Sequence, residues 1–259
     1  MQSDSIRQKA LKIVTLATLL LLQQKLFSQT EYLVKVNAEN GAYIKIDSIP
    51  GVMWITLSNY TTIDESKNRF FLNGSSDLSN WYLFTVDALS GKTIYKVPFP
   101  DNVFELQYGS STNTLYGIKG GSIFNLIKID EATGMISVIT PLQDVSTAYS
   151  LTFDNNNHRL IFNGVNNEGI FSLFIVDVIS GITTELPFAN IQELQYDNVS
   201  NKLYGIYLDN LTEKDELVSV DISTGSFIPI TGVLSITGIY PGNSTFDNKD
   251  HTFFFCCGR

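Results

Sequence analysis

Reactive side chains are scarce in this chain. Two histidines, two cysteines, two tryptophans and three methionines occur among 259 residues. His158 and His251 have no cysteine, histidine or carboxylate beside them at metal-ligand spacing. That excludes a zinc site of the usual kind and leaves both as turn residues. Cys256 and Cys257 are adjacent. A disulfide is hard to form across one peptide bond, so there is no disulfide framework, and the pair reads as small residues of a terminal strand. Basic residues are few: 17 Lys and Arg against 26 Asp and Glu, a formal net charge of −9. With no basic run, nucleic acid and anionic membrane surfaces are excluded as partners. No Gly-rich phosphate loop, nucleophile elbow or metalloprotease helix motif occurs. Phe, Tyr, Ile, Val and Thr are abundant instead, and they suit a pleated, half-buried surface. At 44% hydrophobic and 17% charged, the chain has the means to bury a core.

The longest apolar run lies at the start. Arg7, Lys9 and Lys12 precede the ten residues Ile13 to Leu22, and Gln23 to Gln29 is polar with a small Ser28. This is the layout of a secretory signal peptide, and the apolar run falls short of the roughly 20 residues that span a bilayer. Residues 1–29 are therefore expected to be removed, with no membrane span afterwards and the remainder, 30–259, secreted, periplasmic or at the cell surface. Removal would take Arg7, Lys9, Lys12, Lys25 and Asp4 with it, changing the net charge from −9 to −12. The tail Leu26-Phe27-Ser28-Gln29 resembles the signal ends of secreted Bacteroidota proteins.

The rest is a repeat, clearest from Gln192 to Ile228, where four short apolar runs are joined by three polar reversals. One turn signature recurs as Val36 to Gly41, Val86 to Gly91, Ile129 to Gly134, Val176 to Gly181 and Val220 to Gly225, its last four glycines 43, 47 and 44 residues apart. An Asp or Asn at the strand end can accept turn amides, and the Gly takes the positive φ that closes the turn. A second signature, exemplified by Asp154-Asn155-Asn156-Asn157-His158-Arg159, begins at Asp64, Gly109, Asp154, Asp197 and Asp247. Four strands in each period of 40–50 residues predict an all-β fold, a β-propeller of four-stranded blades.

Complete units fall at about 52–100, 101–143, 144–188 and 189–233. Residues 31–51 hold the last two strands of a unit and 234–259 the first two. Joining these halves would make five blades, the last closed by both termini, and would leave no open edge. The alternative is a truncated propeller of six to eight blades, without activity of its own. The repeat style resembles secreted bacterial propellers of the YVTN and NHL-like kind over nearly all of 30–259. That resemblance implies the fold and leaves function open, because such propellers include lactonases, glycosidases and binding modules.

Two groups of residues are candidates for function. Glu105 and Glu193 share one register, in Phe104-Glu105-Leu106-Gln107-Tyr108 and Gln192-Glu193-Leu194-Gln195-Tyr196. Period-two alternation would set each beside its glutamine on the polar wall of the axial channel, where paired carboxylates could act as acid and base in a hydrolase. The loops between second and third strands vary most. There Asp77, Asn80, Trp81, Asn166, Asn167, Glu168, Asp209 and Asn210 could hold a carbohydrate, peptide or protein ligand. Asp154 to Asn157 lacks a terminal acid, and the loop at Asp209 lacks the acid spacing of a calcium loop, so no metal or cofactor is expected. The chain reads as an exported, monomeric binding or scaffold module, with a propeller hydrolase as the alternative.

Overall fold

The computed structural model describes residues 32–36, 43–48, 54–55, 61–75, 79–209, 214–230, 239–247 and 252–257, with side chains described over 61–75, 79–207 and 216–230. Apart from one 3-10 turn, Glu65–Lys67, its elements are strands. β1 (Tyr32–Val36) pairs with β2 (Tyr43–Ser48). In blade one, β3 (Trp54–Ile55) and β4 (Thr61–Asp64) share the inner position, both pairing with β5 (Arg69–Ser75), followed by β6 (Trp81–Asp87) and β7 (Thr93–Pro98). Blade two is β8 (Val103–Gly109), β9 (Thr114–Lys119), β10 (Phe124–Ile129) and β11 (Ile136–Leu142). Blade three is β12 (Val145–Asp154), β13 (Arg159–Asn166), β14 (Phe171–Asp177) and β15 (Thr183–Pro187). Blade four is β16 (Ile191–Asp197), β17 (Lys202–Asp209), β18 (Lys214–Val220) and β19 (Phe227–Pro229). Last come β20 (Ile239–Asp247) and β21 (Thr252–Cys257), paired with each other.

All these pairings are antiparallel and follow the chain, so the four repeat units of the sequence are four sheets. The inner strands pack in succession, β4 on β8, β8 on β12, β12 on β16 and β16 on β20. Among the described residues the two terminal hairpins are separate two-stranded sheets.

The core lies between blades. One cluster sets Tyr116, Ile118 and Leu126 of blade two against Leu151, Phe153, Leu160 and Phe162 of blade three. A second joins Phe71 and Leu83 to Leu106, Tyr108 and Leu115, and a third joins Ile161 and Leu173 to Leu194, Tyr196 and Leu203. Each such side chain contributes about 1.5–3 kcal/mol by leaving water.

Antiparallel order puts the turns after the first and third strands on one face, and the loops after the second strands with the blade connections on the other. Hydrogen bonds tie each set together. On the turn face Ala88 N donates to Asn68 O (2.7 Å) and Val178 N to His158 O (3.0 Å). On the loop face Gly120 N donates to Asn102 O (2.7 Å) and Asn167 N to Asp144 O (3.1 Å).

The turn signatures act as the sequence suggests, and also reach further. Asp87, Asp130 and Asp177 each accept two turn amides through Oδ1, and Gly91, Gly134, Gly181 and Gly225 sit at φ +73° or +74°. The Asp221 carboxylate accepts one turn amide, from Ser223 N, and the hydroxyls of Ser223 and Thr224. Gly134 and Gly225 are also places of close approach. A Cβ there would lie 2.7 Å from Pro98 O and 2.3 Å from Pro187 O, on the outer strand of the preceding blade. The Val36 to Gly41 turn lies outside the described residues.

Blades one and three share one design, which blade two does not follow. In that design Asn73 or Asn163 is fully buried and donates Nδ2 to the next blade, to Val103 O (2.8 Å) or Ile191 O (2.7 Å). In the same seams Thr62 Oγ1 accepts from Tyr108 N (3.1 Å) and Thr152 Oγ1 from Tyr196 N (3.0 Å). The seam from blade two to blade three is held differently, by Glu105 and a stack of Tyr116 on Phe153 at 5.3 Å.

Candidate functional site

The sister seams between blades one and two, and three and four, carry the same polar cluster on the turn face. Asp64 is buried where β4 ends, and its Oδ2 accepts from Arg69 Nε (3.2 Å) and Nη2 (2.7 Å) at the start of β5. Asp154 and Arg159 repeat this at 3.0 and 2.5 Å. The short turn between the two residues brings them back together, and the carboxylate also accepts from turn amides such as Lys67 N or Asn156 N and Asn157 N. Burial works against the Asp64 charge, but hydrogen bonds from Ser66 and Arg69 outweigh it and hold its pKa below the usual value. Across each seam stands a tyrosine, Tyr108 or Tyr196. Burial, followed by the negative charge of the neighbouring aspartate, raises the pKa of both, so they remain protonated donors at neutral pH.

The two seams then diverge. Between blades one and two an open cleft of about 480 Å³ lies on the turn face. Arg69 and Tyr108 line it with Leu115, Lys128, Glu131 and Met135. Arg69 Nη1 pairs with Glu131 across the seam, and the guanidinium lies 5.5 Å from the Phe71 ring centre and 6.0 Å from that of Tyr108. Tyr108 OH donates to Asn113 Oδ1 (2.7 Å), which also accepts from Lys67 Nζ (2.5 Å). Glu131 Oε2 is shielded from solvent and has no hydrogen-bond donor among the described residues. At the sister seam the turn reads Asp221-Ile222-Ser223 where blade two has Asp130-Glu131-Ala132. Ile222 packs against the apolar cluster containing Tyr196 and Leu203, the counterparts of Tyr108 and Leu115. A common frame thus meets an apolar side chain in one seam and a carboxylate beside an open cleft in the other.

The axial carboxylates do not form the polar wall that simple alternation suggests. Glu105, Ser150 and Glu193 occupy one register position and have φ of +55°, +52° and +56°. Pairing shifts register there in all three inner strands, so each has a bulge. The extra residue breaks the period of two. Glu105 and Glu193 are turned inside, 3% and 2% exposed, while Gln107 and Gln195 stay half-buried. Glu105 Oε2 accepts from Leu151 N of blade three (3.2 Å), and Glu193 N donates to Ser150 Oγ (2.9 Å). Because Ser150 shares the left-handed backbone without a carboxylate, that conformation belongs to the fold rather than to acid–base chemistry.

The loop-face candidates are spread along the chain. Asn166 Oδ1 accepts from Glu168 N (3.0 Å) and Ile170 N (2.9 Å), its Nδ2 donates to Glu185 Oε1, and Asn167 Nδ2 donates to Gln143 O (2.8 Å). These two shape their own loop, from which Glu168 projects exposed. Asn80 O accepts from Ser75 Oγ (3.1 Å), and Trp81 is half-buried at the start of β6. Asp77 and Asn210 lie outside the described residues, as does the side chain of Asp209 at the end of β17. Among the described residues no cluster of three or more His, Cys, Asp or Glu could hold a metal ion. His158 is half-buried, with Nδ1 3.0 Å from Ser111 Oγ in the turn of blade two. His251 and the side chains of Cys256 and Cys257 lie outside the described residues.

Sequence reasoning missed the cleft. Arg69 and Glu131 are 62 positions apart and belong to different turn signatures of different blades. One signal was available: Glu131 stands where its counterpart two blades on is Ile222.

The architecture has known counterparts. A protein of Agrobacterium tumefaciens described as TolB superimposes with a TM-score of 0.62 at 12% identity, over 82% of this chain and 73% of that one. The fold is a β-propeller. TolB from Acinetobacter baumannii gives 0.56 at 12% identity, over 75% of this chain and 46% of its own length. The β-propeller domain of the trilobed protease from Pyrococcus furiosus, with its open velcro topology, gives 0.54 at 11% identity, over 84% and 65%. No protein-family model matches the chain, and no curated protein matches its sequence.

Proposed function

We propose that this chain is an exported binding module, a propeller scaffold that seats a peptide, protein or carbohydrate ligand without transforming it. The carrying observation is the divergence of the two sister seams. The same Asp–Arg–Tyr frame is met by Ile222, packed on apolar neighbours, in one and opens around Glu131 in the other. Filling a seam with an apolar side chain stabilises a fold, so leaving it polar and open is the signature of a surface kept for contact. Glu105 supports this reading from the other side, since its carboxylate is engaged in joining blades. The test combines a glycan array with capture from an envelope extract of the producing organism. Failure of both with folded protein would sink the binding reading. Export rests on the basic and apolar segments of residues 1–29, and N-terminal sequencing of the mature protein tests it.

In the same reading, β20–β21 and β1–β2 complete a fifth blade. β20 packs on β16 as the next inner strand would. Pro229 ends β19 as Pro98 and Pro187 end theirs, and Gly41 holds the sequence place of Gly134 and Gly225. Closure would seat Gly41 against Pro229, and Gly41→Val would then lower the unfolding temperature.

A further inference from the structure

We infer that the cleft between blades one and two receives a basic side chain, Lys or Arg, from a partner protein. This rests on the binding reading above and names its partner class. The argument begins with Glu131. One of its oxygens pairs with Arg69, and the other, Oε2, is out of solvent without a donor. A carboxylate oxygen in that state is costly until an N–H reaches it. Arg69 cannot supply a free positive charge for an anion, because Asp64 and Glu131 both pair with it. The cleft lining holds two carboxylates, Asp130 and Glu131, with Arg69 and the exposed Lys128, and the charge of Arg69 is already met by the buried Asp64 behind it. The chain as a whole carries −9, which draws basic partners toward it and repels acidic ones.

The apolar lining fits the stem of such a side chain. Leu115 and Ala132 line the wall and Met135, 69% exposed, stands at the lip. Lys and Arg bury their methylenes on apolar surface while their charged heads seek oxygen. A sugar is less well served. The Tyr108 ring that would stack on it is 6% exposed, lies 5.6 Å from Phe71 in a stacked pair, and has Arg69 over it. Further apolar side chains stand at the turn tips of the same face, Leu89, Ile179 and Ile182, each at least 65% exposed. They offer apolar contact to a partner anchored in the cleft.

The test uses the full purified chain and fluorescent pentalysine, with pentaglutamate and chitotetraose as alternative probes. Pentalysine should bind at low salt, and Glu131→Ile, which copies the sister seam, should abolish binding while leaving thermal unfolding at or above the wild-type temperature. Glu131→Gln should weaken binding about tenfold, the size of one lost charge contact. Asp101→Asn, which removes one charge on the opposite face, should leave affinity within about twofold at moderate salt. Equal losses in Glu131→Gln and Asp101→Asn would reduce the effect to overall charge and overturn the cleft assignment. Unchanged binding in Glu131→Ile would overturn it too, while leaving a binding module in place. Chitotetraose or pentaglutamate bound in place of pentalysine would overturn the partner class. Absence of binding by every probe would overturn the inference, and the array and extract capture would then decide the broader reading separately.

Discussion

Gly225→Ala and Gly169→Ala add one methyl group to the same backbone conformation, at φ +74° and +81°. Any L-residue there costs about 1–2 kcal/mol, so that penalty is shared. The surroundings differ. Nothing lies within 4 Å of a Cβ at Gly169, whereas at Gly225 it would sit 2.3 Å from Pro187 O and 3.5 Å from Leu186 Cβ. A carbonyl oxygen in a paired strand cannot swing aside as a side chain can. The turn of blade four must therefore lift from the outer strand of blade three, and overpacking of this kind adds about 1–3 kcal/mol. At about 2–4 °C per kcal/mol for a chain of this size, Gly225→Ala should unfold roughly 2–12 °C below Gly169→Ala in differential scanning calorimetry. Equal transition temperatures would refute the claim that the recurring glycine is a contact between blades as well as a turn former.

Asp154→Ala removes the acceptor for two turn amides and for Arg159, which is 27% exposed, and should cost about 2–4 kcal/mol in urea unfolding. Glu105→Ala leaves Leu151 N without its acceptor and should cost about 1–3 kcal/mol, while Glu105→Gln keeps an acceptor oxygen and should stay near wild type. If Glu105→Gln instead abolished a measurable hydrolysis without moving the unfolding midpoint, the carboxylate would have a chemical role. The pKa values of Asp87, Asp130 and Asp221 are lowered, first by side-chain hydroxyls and then by turn amides, and that of Asp177 first by the Ser180 amide. Their folded pKa values lie below the unfolded value of about 3.9, so the stability they lend is present above it and lost as pH falls through the folded values. The urea midpoint should therefore hold from about pH 7 to 5 and decline below about pH 4, less steeply in the Asp177→Asn variant.

Much of the architecture is local and so was legible in the sequence. Each reversal is written in a few neighbouring residues: an aspartate to accept amides, a glycine to take positive φ, and apolar runs on either side. Those interactions need no distant partner, and the four sheets begin and end close to where the repeat does. The axial bulge was not legible. At Glu105, Ser150 and Glu193 the left-handed conformation is imposed on residues that do not favour it, by pairing with the second strand and by packing against the next blade. One inserted residue then turns the side chains that alternation would place on the channel wall. The cleft was beyond sequence reasoning for a related reason. Arg69, Tyr108 and Glu131 come from three separate strand ends of two blades, and only the packing of those blades sets the guanidinium against both carboxylates. Sequence by itself determined the strands, the turns and their order, because these depend on near neighbours. Tertiary structure alone decided which side chains meet at each seam and where the cleft opens, because that depends on contacts across blades.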